Sequence, residues 1–351
     1  MAKTGTTALQ GFVWHNREAL AQLGLSYCTG FRGRNHAELA VAFSSAVTPL
    51  TRREGVYEGD DRTQLRDQLK ELLGDPASAP AHLVSSEHLT TLVRDKEDVA
   101  ALADFLHAIY DEVIVLVVIR RADYWTPSAY VEAVKAAQRR GFDSVFIARR
   151  RHLLDQRDLL GRWGAAFGDE NVRAIPFLES DKNETLRLPG RVLAAAGIEP
   201  GAIREWPLAP KLANTSLSAY ATEVLRHFSI ERADKDAPMR TMARRKPIID
   251  VVRRRWPGPP PALTPEAAVE LDQQGWVRTG LARTPYAAGI EGWDEWEQQP
   301  DAPTAPLLPV RAEDVRMLTR ILRERDLIEL SWSDRVRRQA RRTARRALRR
   351  G

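Results

Sequence analysis

Apolar Leu9, Phe12, Val13, Leu20 and Leu23 recur at helical spacing, predicting a helix over 7–23 with Gly24 as its stop. Asp61–Leu73 reads as a second helix ending at Gly74-Asp75-Pro76, and Lys96–Ala108 as a third, with Val99, Leu102, Phe105 and Leu106 inward. Between them, His82–Ser86 is a short candidate strand leading into Glu87. Val113–Ile119 is apolar at every position, the pattern of a parallel strand covered by helices on both faces. Tyr124–Arg139 and Leu153–Phe167 read as helices, and Ser144–Ile147 and Val172–Phe177 as further short strands. Strand and helix alternate through this half, which predicts an α/β fold.

Beyond residue 185 the strand signals stop. Leu186–Ala196 and Leu217–Phe228 are helical, the second started by a Thr215-Ser216 cap. Proline clusters at 257–265 and 300–309 then break the chain around a piece carrying Trp276, Trp293 and Trp296. The expected organisation is an α/β core over 1–230, a helical and loop-rich extension over 231–332, and a basic tail over 333–351.

Composition narrows the function classes. With 351 residues, 43% hydrophobic and 28% charged, the chain has enough apolar material for a packed core. Its one cysteine, Cys28, excludes an internal disulfide and a cysteine zinc cage, and suits a reducing cytosol. The longest aliphatic run, Val113–Ile119, is far short of a membrane span, and nothing near Met1 resembles a signal peptide. These features predict a cytoplasmic protein.

The net charge of +6 is misleading as a sign of nucleic-acid binding. Ser333–Gly351 holds nine arginines against Asp334, which places +8 in the tail and leaves −2 for the rest of the chain. A nucleic-acid enzyme spreads positive charge along its working groove, so no nucleic-acid partner is expected. The tail can form a helix with a thin stripe of Val336, Ala340, Ala344 and Leu348. Weak electrostatic docking on an anionic membrane surface is one reading; a solvated, frayed terminus is the other.

The first ten residues carry the most chemistry. Lys3-Thr4-Gly5-Thr6-Thr7 immediately precedes an amphipathic helix, so successive backbone N–H groups and the helix's positive end point at one place. That arrangement suits an anion, with Lys3 as a point charge; a Thr-rich terminus without function is the plain alternative. No triphosphate loop of the form G-x-x-x-x-G-K-[ST] is present. A second constellation follows Val113–Ile119: Arg120-Arg121 leave the strand, and Ser128 comes eight residues after Arg120. An arginine at a strand's C-terminal end with a hydroxyl from the next helix makes a second anion clamp, at the edge where open α/β sheets hold ligands. Otherwise Arg120 is a surface charge and Ser128 an ordinary helix residue.

Together these motifs resemble the sulfotransferases that use 3′-phosphoadenosine 5′-phosphosulfate (PAPS), in particular their bacterial carbohydrate-type branch. Lys3-Thr4-Gly5-Thr6-Thr7, with Leu9-Gln10 and Asn16-Arg17 behind it, is similar to the family's 5′-phosphosulfate loop. Arg120 and Ser128 match the pair that grips the 3′-phosphate. Asn35-His36, Ser85-Ser86-Glu87, Trp163 with Phe167-Gly168, and Asn214-Thr215-Ser216-Leu217 also resemble the bacterial branch in order and spacing, over residues 3 to 230. The resemblance implies a P-loop-like parallel sheet flanked by helices. One departure stands out: in the family a complete buried strand precedes the phosphosulfate loop, whereas only Met1-Ala2 precede Lys3 here. A central strand's loss leaves neighbours unpaired, so the natural translation start is expected upstream.

The resemblance also implies roles. Lys3 neutralises charge on the leaving phosphate oxygen, the backbone of Gly5 to Thr7 holds the 5′-phosphate, and Thr4, Thr6 and Thr7 complete the loop. No metal is required if lysine carries that charge, and the seven histidines offer no ligand cluster. The acceptor is a hydroxyl of a carbohydrate or glycolipid. Its general base is expected to be Glu87, with His88 second and His36 third as an acceptor contact; Glu87 also suits the first turn of a helix carrying Leu89 and Leu92. Arg244-Arg245-Lys246-Pro247 and Arg253-Arg254-Arg255 could close over the cofactor's 3′-phosphate, but with no glycine-rich loop present they read rather as solvated helix faces, and the three tryptophans could stack on a sugar but read rather as packing in a loop-rich region. Two rivals remain: a nucleotide-dependent kinase, and a non-catalytic relative that binds membrane or polyanion through its tail.

Overall fold

The periodicity over 7–23 resolves into two helices, α1 (Thr6–His15) and α2 (Arg17–Gln22). Asn16 breaks them apart, its side-chain amide donating to the Phe12 carbonyl at 2.9 Å and to the Pro207 carbonyl at 3.1 Å. This computed structural model describes residues 4–28, 31, 34–46, 59–74, 80–182, 184, 186–203, 205–207, 216–231, 242–325 and 327. Lys3, Asn214, Thr215 and the tail over 333–351 lie outside the described residues.

After α2 come β1 (Leu25–Tyr27) and α3 (Ala37–Phe43). Neither carries a periodic signal, since β1 is only three residues long and α3 is buried on every side. There follow α4 (Gly59–Leu73), β2 (Ala81–Leu83), α5 (His88–Leu92), α6 (Lys96–His107), β3 (Val115–Ile119) and α7 (Ala122–Lys135). Ser144–Ile147, expected as a strand, is instead part of helix α8 (Ser144–Ala148). The Asp143 carboxylate accepts the Phe146 N–H at 2.9 Å and so starts that helix; a four-residue apolar run does not by itself distinguish the two states. The helix predicted over 153–167 is split into α9 (Arg151–Leu154) and α10 (Gln156–Phe167) by Asp155, which caps α10 through the Asp158 N–H. The remaining elements are β4 (Val172–Pro176), α11 (Arg187–Ala195), α12 (Ala219–Glu231), α13 (Met242–Arg255), α14 (Pro265–Gln273), α15 (Trp293–Gln298) and α16 (Ala312–Glu324). The described residue capping α12 is Ser218, whose hydroxyl accepts the Ala221 N–H, rather than Ser216.

The fold is mixed α/β with short parallel sheets. β1 pairs with β2 in parallel, Leu25 opposite Ala81 and Tyr27 opposite Leu83. β3 pairs with β4 in parallel from Val115 opposite Val172 to Ile119 opposite Pro176. Among the described residues, each sheet has two strands.

The chain forms two compact units that interleave in sequence. The first comprises Met1–Thr126, Ile147–Asn214 and Glu266–Ala302. Its main core joins α1, β1, β3, β4 and α11 through Phe12, Val13, Tyr27, Ile175 and Leu193. Trp276, Trp293 and Trp296 are buried in this unit, which makes them packing residues. The second comprises Pro127–Phe146, Thr215–Pro265 and Pro303–Gly351. Its described residues are mostly helical: α12 packs against α13 and α16, and Tyr130, Phe142 and Phe146 form a ring cluster with centroids 4.9–5.6 Å apart. Arg245 departs from the solvated reading. It is buried, and it closes the end of α7 by donating to the Val134 and Lys135 carbonyls at 3.0 and 2.5 Å and to the Ser229 hydroxyl at 3.1 Å. Among the described residues, no helix is long and apolar enough to cross a membrane.

Candidate functional site

In the first unit, polar side chains gather where strands end. Thr4 is buried, and Gly5 takes a left-handed conformation (φ 73°) as the residue before α1. Two constraints demand glycine at this position. Its φ is unfavourable for a side chain, and a Cβ would lie 2.8 Å from Leu188 and 3.0 Å from Phe177. The Gly5 carbonyl accepts the Ala8 and Leu9 N–H groups, both at 3.0 Å, which winds the first turn of α1. Thr6 and Thr7 then occupy its first two positions, where backbone N–H groups have no acceptor within the helix.

The loop meets the candidate base. The Thr6 hydroxyl donates to Glu87 Oε2 at 3.1 Å, although 81 residues separate them. One turn along α1, buried Gln10 donates to the Ser85 hydroxyl at 3.2 Å. Ser85, Ser86 and Glu87 follow β2 after Val84, so these two contacts tie the start of α1 to the segment at that strand's C-terminal end. Ser86 accepts the His88 N–H at 3.3 Å, and Glu87 is the residue before α5. Glu87 thus stands at the start of a helix and also contacts Thr6 of the loop.

His36 and His88 stand on the other side of this segment. The Ser85 N–H donates to His36 Nδ1 at 3.0 Å, so the ring's proton sits on Nε2. His36 is fully buried, stacked on Phe31 with centroids 4.5 Å apart, and held in a left-handed conformation (φ 40°) before α3. Burial pushes its pKa down to about 4, against a smaller upward pull from the Cys28 backbone. It is thus a neutral post beneath Ser85, and it reaches the site through that residue. His88 Nε2 lies 3.4 Å from the Asn35 side-chain amide, so Asn35 meets His88 while its neighbour His36 meets Ser85.

Arg120 leaves β3 and is buried. Its guanidinium stands 5.3 Å from the centre of the Phe177 ring, the same ring that Gly5 approaches. Phe177 follows β4 and donates its N–H to the Ile119 carbonyl at 2.7 Å. One aromatic ring at the C-terminal end of the β3–β4 pair thereby neighbours both the N-terminal loop and Arg120. The guanidinium is ion-paired: Glu179 Oε1 accepts from Nε at 2.9 Å and from Nη2 at 2.5 Å, and Lys182 joins the same carboxylate. Arg121 is spent structurally, forked onto Asp123 at 3.1 and 2.5 Å and donating to the Gln299 carbonyl at 2.5 Å. Ser128 sits in the second turn of α7 and belongs to the second unit.

Sequence reasoning did not single out Glu179 or Phe177. The signal was available, because Phe177-Leu178-Glu179 leaves a buried strand just as Arg120 does. A carboxylate beside a candidate anion-binding arginine is the natural counter-charge. Trp163 and Phe167, noted for their order in the chain, stack at 5.6 Å in the interior of this unit. Among the described residues, no three His, Cys, Asp or Glu side chains are grouped to hold a metal ion. No family model matches this chain, and neither curated proteins nor solved structures give a match.

Proposed function

We propose that this protein is a PAPS-dependent sulfotransferase with a P-loop-like site, acting on a hydroxyl of a carbohydrate or glycolipid. The observation that carries the reading is the 3.1 Å contact between Thr6 and Glu87. It joins the candidate phosphosulfate loop to the candidate general base at the end of a parallel strand. The Phe177 ring, close to both Gly5 and Arg120, supports it further.

The residues fit an anionic nucleotide. Gly5 leaves no room for a side chain, the first-turn amides of Thr6 and Thr7 have no acceptor within the helix, and Arg120 is a buried cation near the same Phe177 ring. The donor supplies an activated sulfuryl group. Gly5, Thr6 and Thr7 would hold its 5′-phosphate, and Arg120 would hold the 3′-phosphate. Glu179 occupies Arg120 in the present structure, so phosphate binding exchanges one carboxylate for another anion. Glu87 takes the proton from the acceptor hydroxyl, with Oε1 as the receiving atom while Thr6 steadies Oε2. Lys3, outside the described residues, would balance charge on the leaving phosphate oxygen. Catalysis of this kind rests on positioning and electrostatics, as in phosphoryl transfer.

Calorimetric titration of 3′,5′-ADP into the chain tests the proposal, with Lys3→Ala and Arg120→Ala alongside. Binding that weakens at least tenfold in both variants is the expected result. Binding of ATP with Mg²⁺ in place of 3′,5′-ADP would turn the assignment to a kinase. Absence of both would leave only a binding role.

A further inference from the structure

Proline recurs at strict three-residue spacing through Pro300, Pro303, Pro306 and Pro309. Three residues make one turn of a polyproline II helix, so such a series lines up along one edge of it. Each proline also fixes its own φ and biases the residue before it toward extended backbone. The backbone follows that expectation: over 303–311, in the second unit, it makes neither turn nor bend. Arg311, the residue before α16, has φ −77° and ψ 134°. Those angles are close to the polyproline II values of about −75° and +145°.

The segment is anchored near its ends and bare between them. The Ala305 N–H donates to the Leu263 carbonyl at 2.8 Å. The Arg311 N–H donates to the Tyr220 hydroxyl at 3.4 Å, and that hydroxyl donates to Asp314 at 2.5 Å. Among the described residues, no backbone–backbone hydrogen bond uses Leu307, Leu308 or Val310. Pro306 and Pro309 are exposed, and Leu307 and Leu308 are 38% and 45% exposed. A plain spacer leading into α16 would need the prolines but not the two leucines. A cation completes the pattern, because Pro306-Leu307-Leu308-Pro309-Val310-Arg311 has the form P-x-x-P-x-Arg. Arg311 pairs with Glu313 at 3.2 Å, but both side chains are mostly in solvent. Such a pair is worth little, so another carboxylate can take the arginine over.

We infer that residues 306–311 are a docking segment for a partner domain whose groove is walled by aromatic side chains and carries a carboxylate at one end. Aromatic walls accept the proline rings and the leucines, while groove donors meet the carbonyls that a polyproline II helix leaves unpaired. The cation sets the orientation. Arg311 lies two residues after the last proline, so the acidic end of the groove receives the C-terminal end of the segment. Six residues in this conformation span about 19 Å. Prolines and the two anchors hold the segment extended in advance, which lowers the ordering cost of binding. This surface lies within the second unit and does not depend on the sulfotransferase proposal.

The probe is an isolated SH3 domain that reads P-x-x-P-x-Arg segments, dye-labelled and titrated with the full chain while anisotropy is followed. A saturable rise is expected, and it should be lost when the tryptophan of the probe's groove is replaced by alanine. Pro306→Ala combined with Pro309→Ala should weaken binding at least tenfold. Arg311→Gln should weaken it about threefold or more and reduce its sensitivity to salt. The double variant should melt as the unaltered chain does; if it melts lower, Leu308→Asp at a half-exposed position carries the same test. No saturable rise overturns the inference, as does a rise that survives the proline substitutions or the loss of the groove tryptophan. A dimer of the chain alone that the double variant abolishes would also overturn it, assigning the segment to a second copy of this chain.

Discussion

Arg120 in the first unit and Arg245 in the second are both nearly fully buried, yet they are held by different kinds of partner. Arg245 spends its guanidinium on the Val134 and Lys135 carbonyls and the Ser229 hydroxyl. Those acceptors are fixed parts of a helix end, and no ligand can replace them without unwinding it. Burial pulls this guanidinium down to about 10, as expected where no carboxylate faces it. Arg120 instead faces a side-chain carboxylate at the mouth of a strand pair, and one anion can be exchanged for another there. The contrast extends to the surroundings. The second unit uses its described buried polar groups internally, as in Tyr130 donating to Glu223 at 2.5 Å. The first unit brings Thr6, Gln10, Ser85, Glu87 and Arg120 to strand ends. Burial of a charge therefore says less about function than the exchangeability of its partner.

Four experiments bear on that contrast, taken from the largest effect down. Glu87→Gln removes the proton acceptor and keeps the shape, so turnover should fall about 10²- to 10⁴-fold with 3′,5′-ADP affinity unchanged. A fall in affinity equal to the fall in turnover would reduce Glu87 to a helix-starting residue. Arg245→Ala takes its donors from the Lys135 carbonyl and the Ser229 hydroxyl, while the Val134 carbonyl keeps the Ala137 N–H, and a cost of about 1–3 kcal/mol is expected, read as a lower denaturation midpoint by urea. A midpoint unchanged from wild type would mean that water reaches those groups, and the contrast with Arg120 would collapse.

Glu179→Gln should tighten 3′,5′-ADP binding roughly tenfold, since the neutral amide competes less with phosphate for Arg120, equivalent to about 1.4 kcal/mol. Weaker binding would show that Glu179 orients the arginine instead of occupying it. The smallest effect concerns pH. Burial pushes both His36 and His152 to about 4, below the usual histidine value, with Arg94, Arg162 and Arg150 adding to the shift at His152. Between pH 6.5 and 4 the unfolded chain binds protons that the folded chain does not, so stability rises with pH in that window. The melting temperature should therefore be on its plateau above about pH 6.5 and drop as pH falls toward 4. His36→Gln should flatten part of that slope; an unaltered slope would show that His36 is protonated in the folded protein.

Much of the architecture was legible in the chain. The continuous apolar run at 113–119 announced a strand covered on both faces, and 172–177 read as a further short strand; β3 and β4 there pair in parallel. Glycine at position 5 and the threonines after it marked the start of a helix correctly. What escaped was decided by a few atoms of local geometry: Asn16 and Asp155 each split one predicted helix into two, and Asp143 turned an expected strand into a helix. Such switches hang on single side-chain hydrogen bonds of about 1 kcal/mol, too small to leave a periodic trace.

Sequence alone determined which residue types stand next to each other along the chain, and so it determined the N-terminal loop, the strand-ending arginine and the Ser85-Ser86-Glu87 segment. Only the tertiary structure decided that Thr6 meets Glu87 across 81 positions, that one phenylalanine ring is shared by Gly5 and Arg120, and that Glu179 is the arginine's partner. The reason is physical. Local propensity acts over a few residues, whereas parallel strands bring distant segments together at a common edge, and each residue's partner there is set by the packing of the whole sheet.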